Sequence, residues 1–194
     1  MSTCQEAAAV ARRWLEQDAL FLDTETTGLH AGAEIVELTL IDRHGQPVLD
    51  TLIRPEQPIP AALTRIHGIS NTMVARAPRW PEVHEQLLSL IQGRELVIYN
   101  AEFDLRMLTQ VAAQHRLPWP AVQERRGTQT RLANATVAHC AMLEYSRFYG
   151  SRRWQSLSKA CEQQGITVSG AHRALADCRM TLNVVQAMAK EIVS

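Results

Sequence analysis

The 194-residue sequence is short of several things, and each shortage narrows what it can be. No apolar stretch approaches the roughly 18 residues needed to cross a membrane as a helix, so no membrane partner is expected. The opening segment, STCQEAAAVARRWLEQ, has neither an apolar h-region nor a cleavage pattern, which excludes a secretory signal. Cysteine is sparse and scattered. Cys4, Cys140, Cys161 and Cys178 form no C-x-x-C pair and no zinc spacing, so free thiols in a reducing cytoplasm are expected. There are no internal repeats, no low-complexity tract and no interdomain linker. Net charge is also absent, with 20 basic and 20 acidic residues, and lysine is nearly missing because 18 of the basic residues are arginine.

What is present reads as one globular domain. A hydrophobic content of 46% with 21% charged residues is that of a folded protein with a real core. Residues 1–18 pattern as an amphipathic helix with Val10, Trp14 and Leu15 on a docking face, followed by a single domain over 19–194. The zero net charge hides an asymmetry. Residues 1–123 carry 10 Arg against 15 acids, and residues 124–180 carry 9 Lys+Arg against 4 acids. A basic C-terminal half suits a polyanion crossing the molecule, and it equally suits ordinary surface charge.

Along the chain, residues 19–23 predict a short buried strand that ends on Asp23. EIVELTLID (34–42) and QPVLDTLIR (46–54) predict two more strands, joined tightly enough for an antiparallel meander. The three prolines of RPEQPIP (54–60) make a loop, and Pro60 opens a short helix toward IHGIS. Apolar spacing predicts a helix over 81–92, then a strand over 95–100, then a helix over 101–115 with Asn100 as N-cap. Residues 117–134 read as an irregular, polar, Arg-rich connection. A strand near 135–139, a helix to about Tyr149, a helix over 154–164 and a last helix over about 173–191 complete the order. Strands first, then alternating strand and helix, imply a mixed α/β sheet covered by helices, with reactive groups at the carboxyl ends of its strands.

Acids gather at those ends. In FLDTETTGL (21–29), Asp23 and Glu25 share a face if the extended backbone continues through Thr24. Two close carboxylates repel, and a hard divalent cation with oxygen ligands relieves them. In YNAEFDLRML (99–108), Asp104 sits one turn into a helix between apolar Phe103 and Leu105. In AHRALADCRMTL (171–182), His172 and Asp177 stand about 140° apart if both are helical. A loop position for His172, with VSG (168–170) as the break, lets both reach one site.

These three segments resemble the signature motifs of the DEDDh exonucleases, the family of the proofreading epsilon subunit of bacterial DNA polymerase III. The first is D-x-E with T-T-G at Asp23, Glu25 and Thr26–Gly28. The second is N-A-x-F-D at Asn100–Asp104, and the third is H-x-A-x-x-D at His172, Ala174 and Asp177. PIPAALTRIHGIS (58–70) resembles the polymerase-type members. Tyr99 departs from the histidine that many members carry there. The resemblance spans about 20–190 and implies an RNase H-like fold: a three-strand antiparallel meander plus parallel strands, flanked by helices.

The resemblance also implies a metal-dependent 3′–5′ exonuclease that releases nucleoside 5′-monophosphates from DNA. Two Mg²⁺ or Mn²⁺ ions are implied, held by Asp23, Glu25, Asp104 and Asp177, with His172 taking a proton from the attacking water. At the substrate end, Gly28 lets the chain turn and Leu29 can wedge against the terminal base. Thr26 and Thr27 can hold the terminal nucleotide, Ile66 and His67 can line its pocket, Asn100 adjoins it, and Phe103 can pack beneath. Arg152, Arg153 and Trp154 either track a nucleic-acid backbone or begin a helix on a buried tryptophan, the latter slightly favoured.

The expected partners are single-stranded DNA or DNA 3′ ends, with RNA ends as the alternative substrate, because the metal motifs do not read the 2′-OH. A DNA polymerase or clamp is a further candidate partner, and a purely structural polymerase-accessory role is the third alternative. QLLSLI (86–91) faintly resembles a clamp-binding peptide, but its spacing fits a core helix better. The short stretch after the last motif favours a stand-alone or loosely recruited enzyme.

Overall fold

The computed structural model describes residues 3–168 and 170–191. Residues 1–2 of the expected N-terminal helix, Ser169 of the 168–170 break, and 192–194 lie outside the described residues.

The chain begins with α1 (Thr3–Glu16), followed by β1 (Leu20–Thr26), β2 (Ile35–Ile41) and β3 (Pro47–Leu52). Then come α2 (Ala61–His67), α3 (Asn71–Val74), α4 (Trp80–Ile91), β4 (Glu95–Ile98) and α5 (Ala101–Gln114). The remaining elements are β5 (Val122–Arg126), β6 (Gln129–Leu132), β7 (Val137–Cys140), α6 (Ala141–Phe148), α7 (Leu157–Gln163) and α8 (Ala174–Ala189). The strands form one seven-stranded sheet in the order β3-β2-β1-β4-β7-β6-β5. β1–β3 make the antiparallel meander, and β4 and β7 run parallel to β1.

Alternation along β1 divides the core in two. Leu20 and Leu22 face α4 and α5, with Trp80, Leu87, Leu108 and Val111. Phe21 faces α1, α6, α7 and α8, with Trp14, Tyr145, Val184 and Val185. Trp14 is buried in that layer, as the amphipathic pattern predicts, and Val10 and Leu15 pack half-buried at its rim. Leu87 and Ile91 are fully buried, so QLLSLI is a core helix face.

Three expectations need correction. β1 does not end at Asp23 but runs on to Thr26, because Asp23, Thr24 and Glu25 stay paired with Thr39, Leu38 and Glu37 of β2. The connection 117–134 is not irregular: β5 and β6 form a hairpin that extends the sheet from β7, with Gly127 at its turn. The helix expected over 154–164 starts only at Leu157, where the Ser156 side chain caps the Lys159 amide, and Trp154 is 65% exposed rather than buried.

Candidate active site

β1 carries Asp23 and Glu25 on the face covered by α8, and α8 brings Asp177 to them. One oxygen from each of these three carboxylates lies within 4.8 Å of the others. Asp104 comes from the first turn of α5 on the opposite face and is buried. It stands outside that cluster of three and accepts a hydrogen bond from the Thr24 hydroxyl at 2.7 Å. Thr24 thus joins the two faces: its backbone separates Asp23 from Glu25, and its side chain holds Asp104.

The electrostatics are those of crowded, dry acids. Burial and then the charges of Asp104, Asp177 and Glu25 push Asp23 well above the usual carboxylate range. Burial, then Asp177 and Glu37, raise Glu25 to about 8. Burial raises Asp104 to about 7 against the lowering hydrogen bond from Thr24, and burial raises Asp177 to about 6. Such a set binds protons tightly and suits a divalent cation with all-oxygen ligands. The donor chemistry therefore fits the expected metals.

His172 lies in the loop before α8, as the spacing requires, and is exposed. Its backbone is left-handed, at φ 64°, a region that bulky residues seldom occupy. Its amide donates to Asp177 Oδ1 at 3.3 Å, so the aspartate reaches back over the turn and the two residues meet.

Two residues here have no place in the sequence motifs. Glu37 on β2 pairs directly opposite Glu25, yet it is 3% exposed. Both of its oxygens accept from the Arg173 guanidinium, at 2.6 and 3.1 Å, and one also accepts the Ala174 amide at 2.9 Å. Glu37 therefore fixes both the His172–Arg173 turn and the start of α8. Its signal in the sequence is a single acid inside IVELTLI (35–41), whose other side chains are buried and apolar or threonine.

The remaining expected residues divide. Thr26 and Thr27 are buried and their hydroxyls are engaged internally, with Thr26 donating to Gly28 O and Thr27 accepting from the Glu34 amide. A Cβ on Gly28 would meet the His30 ring at 3.1 Å. Leu29 is 73% exposed and Ile66 is also exposed. The loop bearing Leu29 is tied to α5, because Arg106 donates to Leu29 O and Gln110 donates to His30 O and Ala33 O. Phe103 is half-buried under the Arg106 guanidinium. His67 is buried, and its Nδ1 accepts the Ile69 amide. That leaves Nε2 as a buried N–H without a partner, beside the Thr26 backbone. Burial holds this imidazole below the usual histidine range, hence neutral. Asn100 precedes α5 and is exposed, without a side-chain capping bond. Tyr99 is in the core, its hydroxyl donating to Gln155 O at 2.9 Å.

Residues 20–185 match the family model described as RNase T-type exonuclease. The chain is 44% identical over 187 residues to an uncharacterized exonuclease of Escherichia phage 186, covering 93% of this chain and 92% of that one. It is 32% identical over 172 residues to the DNA polymerase III epsilon subunit of Treponema pallidum, covering 86% and 74%. Among solved structures, Exonuclease X in complex with 5′-overhanging duplex DNA superposes with a TM-score of 0.59 at 27% identity, covering 88% of this chain and 90% of that one.

Proposed function

The chain belongs to the RNase T-type exonuclease family, and from that premise we propose that it is a metal-dependent 3′–5′ exonuclease acting on DNA ends. The observation that carries the reading is the cluster of Asp23, Glu25 and Asp177, whose oxygens lie within 4.8 Å of one another while every one of these acids is raised by burial and by its neighbours. Asp23, Glu25, Asp177 and Asp104 would hold two Mg²⁺ or Mn²⁺ ions. Such ions supply Lewis acidity toward the phosphodiester and charge neutralisation for the departing 3′ oxygen.

The chain's own residues do the rest. His172 accepts a proton from the attacking water, and Asp177, bonded to the His172 amide, sets the turn from which the imidazole projects. The exposed Leu29 wedges against the terminal base, held by the ties from α5, with Phe103 packing beneath. The unpartnered Nε2–H of His67 offers a hydrogen bond to the terminal nucleotide, and Ile66 and Asn100 border the same end of the sheet. The Thr26 and Thr27 hydroxyls hold the loop instead of the substrate. Arg152, Arg153 and Trp154 are exposed together, which favours strand tracking over the helix-start alternative. Four free thiols suit a cytoplasmic setting. The relation to epsilon subunits makes a polymerase a candidate partner, and the buried apolar face of QLLSLI argues against its use as a clamp-binding peptide.

The test is direct. End-labelled single-stranded DNA, recessed-end duplex and RNA of equal length are incubated with Mg²⁺ or Mn²⁺ and the products sized. Stepwise loss from the 3′ end of DNA is expected, blocked by a 3′ phosphorothioate. Cleavage of circular single strands would refute it, and faster trimming of RNA would favour the exoribonuclease alternative.

A further inference from the structure

The reaction outlined above makes no use of the arginine-rich hairpin. β5 and β6 add two strands beyond β7, and Glu124, Arg125, Arg126 and Arg131 all face solvent. The hairpin's place in the sheet is informative. Gln129 at the start of β6 pairs with His139 near the end of β7, so the Gly127–Thr128 turn lies at the carboxyl end of β7. β1, β4 and β7 are parallel, so that turn lies at the same end of the sheet as Asp23, Glu25 and Asn100. β5 is four strand spacings from β1, about 19 Å in the plane of the sheet.

The hairpin is also pinned in place. The Thr128 hydroxyl donates to Glu144 at 2.6 Å, and the Cys140 amide donates to Thr128 O at 2.9 Å. Between the hairpin and the start of α5 runs a groove of about 180 Å³. Arg125, Thr128 and Thr130 line one side, and Asn100, Ala101 and Glu102 line the other. Asn100 and Glu102 flank the helix start that delivers Asp104. Arg125 pairs across with Thr130 and lines this groove, while Arg126, beside the Gly127 turn, projects to the hairpin's other face with Glu124 at 3.8 Å and Gln129 and Arg131 alongside.

We propose that the β5–β6 hairpin is a phosphate-binding arm for the single strand leaving the active site, with Arg125 and Arg126 as its contacts. The proposal rests on the exonuclease reading and extends it by assigning a second contact region on the strand. At 3.4 Å or more per phosphate along a strand, the arm is reached no more than about six nucleotides from the scissile bond. A dinucleotide cannot span the gap.

Wild type, Arg125→Gln, Arg126→Gln and the double variant are compared on a 20-nucleotide strand and on a dinucleotide, across a salt series. Binding of the labelled 20-mer is also followed by fluorescence anisotropy, which needs no turnover. The double variant should bind the 20-mer roughly 10–30-fold more weakly at 0.1 M salt, with a salt slope shallower by about 0.7 for each lost contact. Its KM on the 20-mer should rise, with kcat and dinucleotide cleavage unchanged. Equal loss on the dinucleotide would overturn the arm and make the hairpin a support for the site. Unchanged binding with new self-association on size exclusion would also overturn it, leaving the arginines as guards of an open sheet edge. An anisotropy difference without any wild-type hydrolysis would keep the arm and sink the exonuclease reading. Hydrolysis without that difference would do the reverse.

Discussion

Glu25 and Glu37 stand directly opposite each other on adjacent strands, and they have opposite fates. Glu37 is held by the Arg173 guanidinium and the Ala174 amide, so its charge is met within the fold. Glu25 faces Asp177, Glu37 and Asp104 and is raised to about 8, with Arg173 only a lesser, lowering influence. One acid is compensated by the chain and builds structure. The other is left for something the chain does not contain. The same contrast separates Asp23 from every acid on the solvent-facing loops: burial beside like charge is tolerated only where a ligand repays it.

The strongest way to break this comparison is to remove an uncompensated acid. Asp23→Ala should lower kcat by roughly 10⁴-fold, the size of several kcal/mol of lost transition-state stabilisation. The metal-free fold should persist by circular dichroism, since the substitution removes repulsion and no packing group. EDTA should abolish wild-type activity in the same assay. Near-normal turnover of Asp23→Ala would end the claim that this acid is a ligand.

Next in size is His172. His172→Ala should reduce kcat by about 10²–10⁴-fold, the range for losing an acid–base group. The base must be unprotonated to accept a proton, so wild-type activity should fall toward acid pH. Metal affinity, measured by Mn²⁺ titration, should change less than in Asp104→Ala. Wild-type turnover by His172→Ala across pH 6–9 would mean that another group is the base.

The compensated side breaks differently. Arg173→Met strands Glu37 as a buried charge, which should cost about 2–4 kcal/mol of stability, below the usual figure for buried pairs because Arg173 is itself partly exposed. In a chain of this length that is about 4–16 °C in Tm. The double variant Arg173→Met/Glu37→Leu should recover part of the loss. It should not recover kcat, because the Glu37 carboxylate also fixes the turn that carries His172. Recovery of both would make the pair a purely structural bridge.

Much of this site was legible in the sequence, and the parts that were not have physical reasons. D-x-E, N-A-x-F-D and H-x-A-x-x-D are local patterns, and two strand-like runs at 34–42 and 46–54 joined by the short turn at 43–45 are enough to give the meander. The hairpin at 122–132 was hidden because β5 is exposed along its whole length, so it shows no alternation, and its pairing comes from β6 and the neighbouring β7. The end of β1 was misplaced because two acids interrupt an apolar run while the backbone ladder continues beneath them. The Glu37–Arg173 pair spans 136 positions, and no local pattern announces such a contact. Trp154 resembled a core anchor, but the capped helix starts three residues later and leaves it outside.

The smallest expected effect concerns stability without metal. In the unfolded chain the four acids titrate near their ordinary values of about 4, whereas the folded state keeps protons on Asp177, Asp104 and Glu25 up to about 6, 7 and 8. Between those limits the folded state holds more protons on these acids than the unfolded one, so their contribution to stability is greatest below about pH 4 and falls as pH rises toward 8. The buried His67, His84 and His139 oppose this at the acid end. Their lowered values mean stability is lost as pH falls through the ordinary histidine range. Above pH 7 those histidines are neutral in both states, so the acids act alone. Metal-free wild type should therefore lose a few degrees of Tm between pH 7 and 8.5, while Glu25→Gln loses less and is the more stable of the two at pH 8.5. Saturating Mg²⁺ should stabilise wild type more at pH 8.5 than at pH 6, because the ion competes with protons for the same oxygens. Glu25→Gln should gain less from the ion at either pH. A metal-free Tm that stayed level from pH 7 to 8.5, with Glu25→Gln no more stable than wild type, would show that these acids are not under strain and would remove the contrast between Glu25 and Glu37.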